Sequence, residues 1–302
     1  MTGSGGQTKA AIAALTGAAC IGLSPIAVRL SDVGPQATNF WRFVFAAPVL
    51  VAWALFSRPK PNPRQTGWLL FAGVLFGIEV SLWAAALAYT TVTNATLLVN
   101  LTPIFAAALG WFLLKERLSG AIIGGIGVAL TGAVLLALGH QHLAAPTGLS
   151  AGVGSPMGLP AGLFGDALAF SGAVGYAGYL LVVRALGKDV GVGGVMFWAT
   201  LSAAFVSLSA ALVLREEMIP HSLQGWLILV GLGLVVQVAG QGLIAYGVAR
   251  LPIAMSTVLL WMQPLVAAAL SWIMFGEALS ALAFVGAALI LSGVYVVQRA
   301  RT

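Results

Sequence analysis

The stretch Leu101–Ser119, LTPIFAAALGWFLLKERLS, returns later in the chain as Leu260–Ser280, LWMQPLVAAALSWIMFGEALS. Aligned on their prolines, the copies share Pro103/Pro264, an Ala-Ala-Ala-Leu run, Trp111/Trp272, Glu116/Glu277 and Leu118-Ser119/Leu279-Ser280. The step from proline to glutamate is the same in both. Repetition on this scale fixes the architecture before any local element is assigned. The protein is built twice.

Composition sets the medium in which it is built. Of 302 residues, 60% are hydrophobic and 7% charged, and the mean hydropathy is +1.01. A soluble domain carries roughly 25% charged residues, so this chain cannot cover a water-facing surface and must sit in lipid. A pI near 9.9 invites a nucleic-acid reading, but the basic residues fall at the ends of apolar segments and form no patch. The single cysteine, Cys20, lies in an apolar run and has no partner for an intrachain disulfide. No spacing for zinc or haem ligands is present, His140 and His142 read as solvated loop residues, and no cofactor or metal is expected.

A bilayer core needs about 20 apolar residues per helix. The chain supplies them at about 10–28, 38–57, 67–89, 93–114, 119–139, 161–183, 192–214, 224–248, 254–275 and 279–297. The runs are continuous and long, which excludes the short alternating strands of a closed barrel. The expected fold is therefore an all-α polytopic membrane protein with ten transmembrane helices, arranged as two five-helix repeats, residues 1–139 and 161–302. A Gly/Pro/Ser-rich linker, 140–160, separates them.

Lys and Arg set the orientation. With a cytoplasmic amino terminus, that side collects Lys9, Arg58, Lys60, Arg64, Lys115, Arg117, Arg184, Lys188, Arg250, Arg299 and Arg301. The other side receives Arg29, Arg42 near a helix start, and Arg215 followed by Glu216 and Glu217. Both termini are then cytoplasmic. An odd number of helices per repeat turns the second repeat upside down, and the motif agrees: Lys115-Glu116-Arg117 becomes Gly276-Glu277-Ala278, with both basic residues gone. Inverted repeats around a midplane substrate site are a recurring architecture of secondary transporters. A receptor or purely structural membrane protein has no physical reason for internal antisymmetry.

Two halves, each with a Pro-containing helix ending in Glu-x-Leu-Ser, resemble the EamA-type members of the drug/metabolite transporter superfamily. Phe40-Trp41-Arg42-Phe43 is similar to the start of that family's second helix, Gly165-Asp166 with Arg184 to its sixth, and Tyr246 with Pro252-Ile253-Ala254 to its connection between helices eight and nine. The first half departs from the pattern in its shorter Tyr89–Ala95 connection, which lacks the proline. The resemblance implies helices around a central cavity, outward transport and a place in the bacterial inner membrane. Within the family, exporters of aromatic and neutral amino acids of the YddG type are the nearest resemblance.

Ionisable and amide groups inside spans are the candidate substrate-binding residues, because lipid penalises them. Glu79 stands deep in the third span, with Trp83 one turn on along the same face. That carboxyl can meet a substrate ammonium or carry a proton; it can also be satisfied by Arg42 or a neighbouring hydroxyl. Gln237 and Gln241 share a face of the eighth span and offer neutral donors and acceptors to a zwitterion, or hydrogen bonds to other helices. Asn100 and Trp261 occupy equivalent positions three residues before each proline, where a missing backbone donor leaves a carbonyl to be satisfied. Tyr176, Tyr179 and Tyr246 complete the set as apolar groups with polar tips. Gly120, Gly124, Gly125 and Gly127, with Gly172, Gly175 and Gly178, read as faces for close helix packing, and Glu116 and Glu277 as carboxylates that fix the following turn.

The function expected from these features is export of small metabolites, above all neutral and aromatic amino acids, by alternating access. Efflux of cationic drugs is the alternative, using Glu79 and the aromatics. No catalytic set of Ser/His/Asp, paired carboxylates or metal ligands appears, so an enzyme is not expected, and a channel or scramblase ranks equally low. The partners implied are a small-molecule substrate and the lipid bilayer.

Overall fold

A computed structural model of the chain describes residues 4–86, 89–90, 95, 98–116, 118–141, 161–275 and 280–299. Among these residues there are helices and short turns and no strand. The helices are α1 (Ser4–Ile21), α2 (Ser24–Leu30), α3 (Pro35–Phe56), α4 (Pro63–Ala86), α5 (Thr102–Leu113), α6 (Gly120–Gln141), α7 (Ala161–Leu186) and α8 (Val192–Val213). They continue with α9 (Leu223–Gly231), a π-helix (Leu232–Gln241), α10 (Gly242–Arg250), α11 (Ile253–Leu259), α12 (Met262–Phe275) and α13 (Ala281–Arg299).

Seven stretches among the described residues are long and apolar enough to cross a membrane. Three shorter apolar helices, Thr102–Leu113, Gly120–Leu136 and Ala281–Val297, fall where the remaining spans are expected. Several stretches are composite. Pro25 follows a break between α1 and α2, and α9, the π-helix and α10 run as one rod from 223 to 250. Phe56, Phe205, Val213 and Leu223 are exposed on the outside of the bundle, a burden water would not tolerate over so much of the surface but lipid does.

Local chemistry sets the boundaries. Ser119 and Ser280, the last residues of the two motif copies, cap α6 and α13 by accepting hydrogen bonds from the Ile122 and Ala283 N–H groups at 3.3 and 3.2 Å. The Ser222 hydroxyl does the same for Gly225 at the start of α9. At the far ends of α5 and α8, Lys115 and Arg215 adopt positive φ values of 55° and 53°, the left-handed geometry that stops a helix.

Packing brings the two halves against each other. The α6 and α13 helices cross through reciprocal glycines: a Cβ on Gly293 would meet the Gly125 carbonyl at 2.6 Å, and one on Gly132 would meet that of Gly286 at 2.6 Å. Gly125 and Gly132 stand at the same register from Pro103 as Gly286 and Gly293 do from Pro264, so the contact maps onto itself when the motif copies are exchanged. Gly172, Gly175 and Gly178 of α7 pack against α4, near Glu79 and Leu75. Gly120, Gly124 and Gly127 differ from the sequence expectation, because no atom of the described residues lies within 4 Å of a Cβ placed on them. The expected linker lies outside the described residues from His142 to Pro160, as do Glu277 and most of the Tyr89–Ala95 connection.

Candidate midplane substrate site

Both motif helices break just before their prolines. In the first half, a turn at Asn100–Leu101 precedes α5; in the second, α11 ends at Leu259 and α12 begins again at Met262. Proline removes the N–H that would continue the ladder, and the freed carbonyls find specific partners. The Thr102 hydroxyl donates to the Val99 carbonyl at 2.7 Å. The Trp261 indole N–H donates to the Asn100 carbonyl at 3.1 Å. The two residues at equivalent motif positions therefore touch each other where the halves meet, and Trp261 is almost fully buried.

Beside that contact lies a cavity of about 30 Å³, walled by Asn100, Thr102, Tyr176, Thr257, Trp261 and Gln263 among others. Binding sites for drug-sized ligands measure roughly 300–1,000 Å³, so this space has room for water but not for an amino acid. The helices must part before a substrate enters. A larger depression of about 420 Å³, formed by Arg64, Gly67, Trp68 and Phe71, is a shallow hollow on the outer face of the bundle, away from these groups.

Tyr176 connects the cavity to a second, more polar cluster. On α3, Arg42 is buried and donates through Nε to the Gln237 side-chain oxygen at 3.0 Å. The Gln237 amide nitrogen in turn donates to the Thr200 hydroxyl at 2.8 Å. The guanidinium sits 5.6 and 5.7 Å from the ring centroids of Phe43 and Phe76, within cation–π range. Phe76, Tyr176 and Tyr179 stack as a group, with centroids 5.0–6.1 Å apart. Glu79 lies one turn beyond Phe76, is 8% exposed, and its nearest ionisable neighbour of opposite sign is Arg42.

This cluster is incompletely satisfied. Among the described residues no hydrogen bond or ion pair reaches the Glu79 carboxylate, and the Arg42 Nη2, Gln241 Oε1 and Ser81 hydroxyl are buried without partners. Buried polar atoms are normally paired, and a charge left unpaired inside a membrane is costlier still. Gln237 and Gln241 stand on the π-helix, a rare geometry that concentrates at functional sites.

Asp32, in the turn before α3, belongs to one end of the bundle. Its carboxylate accepts from the Ser222 hydroxyl at 2.9 Å and from the Ser222 and His221 N–H groups at 3.0 and 3.1 Å. Desolvation pushes this carboxyl up, and those bonds together hold it below its ordinary value.

The structure brings Glu79, Asn100, Tyr176, Tyr179, Gln237, Gln241 and Trp261 together around the cavity and the cluster. It does not bring Trp83 or Tyr246 there. Trp83 packs with Ala86, Ala95 and Ala169, because its i+4 spacing from Glu79 sets the face of α4 but not which helix opposes the next turn. Tyr246 sits in the last turns of α10 beneath Arg250, whose guanidinium is 3.7 Å from its ring centroid. Sequence reasoning left Arg42 as a partner for Glu79; no ion pair joins them, and Arg42 binds Gln237 instead. Thr200, Thr257 and Gln263 carried no signal, since isolated hydroxyls and amides on apolar helices are common.

Glu116 also differs from expectation. Its carboxylate does not fix its own turn. It accepts from the Arg184 Nε at 2.7 Å and from the Ile253 N–H at 2.8 Å, capping α11 in the other half of the chain.

The model of the EamA-like transporter family matches residues 8–138 and 163–299. An uncharacterized transporter of Archaeoglobus fulgidus is 32% identical over 37% of this chain and 39% of its own length. A probable terminal-alkyne amino-acid exporter of Streptantibioticus cattleyicolor is 28% identical over 68% of this chain and 64% of its own. The chain thus spans less than two thirds of the length of these relatives. A crystal structure 22% identical in sequence superposes with a TM-score of 0.78, covering 98% of this chain and 99% of that one, which shows the fold.

Proposed function

The chain belongs to the EamA-like transporter family, and we propose that within it this protein exports small metabolites, chiefly neutral and aromatic amino acids, from a bacterial cell. The observation that carries the reading is the partly unsatisfied polar cluster buried where the halves meet, with the Glu79 carboxyl group unpaired and the Arg42 Nη2 and Gln241 Oε1 without partners around stacked aromatic rings. A zwitterion with an apolar side chain complements all of these at once. The relative named as a probable terminal-alkyne amino-acid exporter supports the substrate class. The name stays with that relative.

In this reading ten helices form two inverted five-helix repeats, residues 1–139 and 161–302, with both termini cytoplasmic and the cavity near the midplane. The self-mapping contacts of Asn100 with Trp261 and of α6 with α13 support that arrangement. Because the cavity is closed around about 30 Å³, transport requires the halves to rock apart on one side at a time.

A second reading, efflux of cationic drugs, is favoured by Glu79 beside the aromatic stack. Counterflow of radiolabelled phenylalanine and threonine in proteoliposomes, run beside a quaternary-ammonium dye, separates the two. Amino-acid flux that saturates and self-competes is expected. Flux of the dye alone would reject the amino-acid reading.

A further inference from the structure

Arg42 offers more than a charge near Glu79. Its Nε is committed to Gln237, whose amide is itself fixed by Thr200. Both Gln237 side-chain atoms are thereby used, and the residue acts as a positioning group that holds the guanidinium rather than as a contact for substrate. Phe43 and Phe76 hold the guanidinium from the side. Neither Nη1 nor Nη2 makes a hydrogen bond among the described residues, and Nη2 is sealed from solvent. The open edge is therefore the pair of terminal nitrogens, two parallel donors in a rigid plane. Glu79, the nearest acid, does not occupy it. Such an edge matches a carboxylate in bidentate geometry, and arginine is the residue best suited to that match.

We infer that the Nη1/Nη2 edge of Arg42 anchors the carboxylate of the transported molecule, so that cargo must carry an acid group and cations lacking one are excluded. The inference rests on the midplane cluster being the substrate site. It assigns the remaining groups by complement: the Glu79 carboxylate and the Gln241 Oε1 receive the ammonium, and Tyr176 and Trp261 meet the side chain. A guanidinium fixed in place also repels a cationic drug approaching Glu79, which separates the two readings on a chemical ground.

The test compares phenylalanine, 3-phenylpropionate and phenethylamine, which differ only in their charged groups. Binding is followed by ligand-induced thermal shift of the purified full-length protein in detergent, so the result does not depend on flux. The wild type is expected to bind both acids more tightly than the amine. Arg42→Gln should weaken both acids about ten- to a hundredfold and leave the amine within about threefold; Arg42→Lys should fall between, keeping the charge without the fork. Should Arg42→Gln fail to fold, the wild-type order and Arg42→Lys decide. Tighter binding of phenethylamine than of 3-phenylpropionate, acid affinity unchanged in either variant, or no binding of any of the three at millimolar concentration would overturn the anchor. Arg42-dependent acid binding without phenylalanine flux in proteoliposomes would instead retain the anchor and reject amino-acid export.

Discussion

Among the described residues, Glu116 and Glu79 each have an arginine of another helix as their neighbour, and the two arrangements are built in opposite ways. At one end of the bundle, Glu116 and Arg184 are in direct contact at 2.7 Å, the second carboxylate oxygen caps α11, and the Arg184 Nη1 donates to the Ala249 carbonyl at 3.0 Å. In the middle, Glu79 and Arg42 share a buried cluster without touching. Glu216, at the opposite end of α8, behaves like Glu116: it accepts from the Gln36 and Ala37 N–H groups at 2.8 and 2.9 Å and caps α3. The fold pairs the Glu116 and Glu216 carboxylates at the two ends, leaves Asp32 Oδ1 without a partner at one of them, and leaves Glu79 unpaired between them. Dry, partly satisfied polar groups cost stability, and under the proposed function a ligand completes their bonding.

The sharpest way to break this comparison is to remove one acid from each pair. Glu116→Gln strands Arg184 and weakens the cap on α11, and a loss of about 2–3 kcal/mol is expected, below the full penalty for a buried pair because both partners are partly exposed. Glu79→Gln replaces a side chain that the fold does not pair with a neutral one of the same size, so its unfolding free energy should stay within about 1 kcal/mol of wild type while flux falls. Thermal unfolding and counterflow on the same preparations check both. Equal destabilisation by the two variants would erase the distinction. If Glu79 instead carries the coupling proton without binding substrate, exchange should persist in Glu79→Gln while net transport loses its pH dependence, and an unchanged dependence rejects that role.

The glutamates at the two ends share a further device that can be sharpened by smaller changes. Each follows a basic residue in left-handed geometry, Lys115 before Glu116 and Arg215 before Glu216. Both basic side chains are exposed, and the Lys115 ammonium lies 5.4 Å from the Phe112 ring centroid. The left-handed penalty of roughly 1–2 kcal/mol, less the extra chain entropy of glycine, gives an expected gain of about 0.5–1 kcal/mol for Lys115→Gly and for Arg215→Gly. A loss in either would show that the side chain matters.

The smallest effect belongs to Asp32. Its folded-state pKa is lowered from 3.8, so its contribution to stability is present in full above the ordinary carboxylate range. That contribution is lost as pH falls through the lower folded value. Unfolding of Asp32→Asn compared with wild type should therefore converge under strongly acidic conditions and separate above them.

How much of this was legible follows from the range of each signal. Long apolar runs announce their spans directly, and most expected spans coincide with described helices within a few residues, while the first part of 93–114 lies largely outside the described residues. Pro103 and Pro264 marked the breaks because proline acts on its own ladder, and the carbonyl expected to need a partner at Asn100 found one in Trp261. The twofold character was visible in the paired motifs. What stayed hidden were partners set by tertiary contact. Glu116 lies next to Leu118-Ser119 in sequence, yet Ser119 caps the following helix and Glu116 reaches residue 253. Arg42 gave no hint of Gln237 on a distant helix, and the faces of Trp83 and Tyr246 were readable only relative to their own helices.

The most direct test of the central claim, that the open midplane pair is reserved for a ligand while the end pair holds the fold, is a thermal shift with saturating phenylalanine. Binding to the native state alone must raise the unfolding temperature. Wild type and Glu116→Gln should show the same ligand-induced rise from different starting temperatures, and Glu79→Gln should show a smaller one at the same phenylalanine concentration. A full rise in Glu79→Gln, or its loss in a folded Glu116→Gln, would contradict the account.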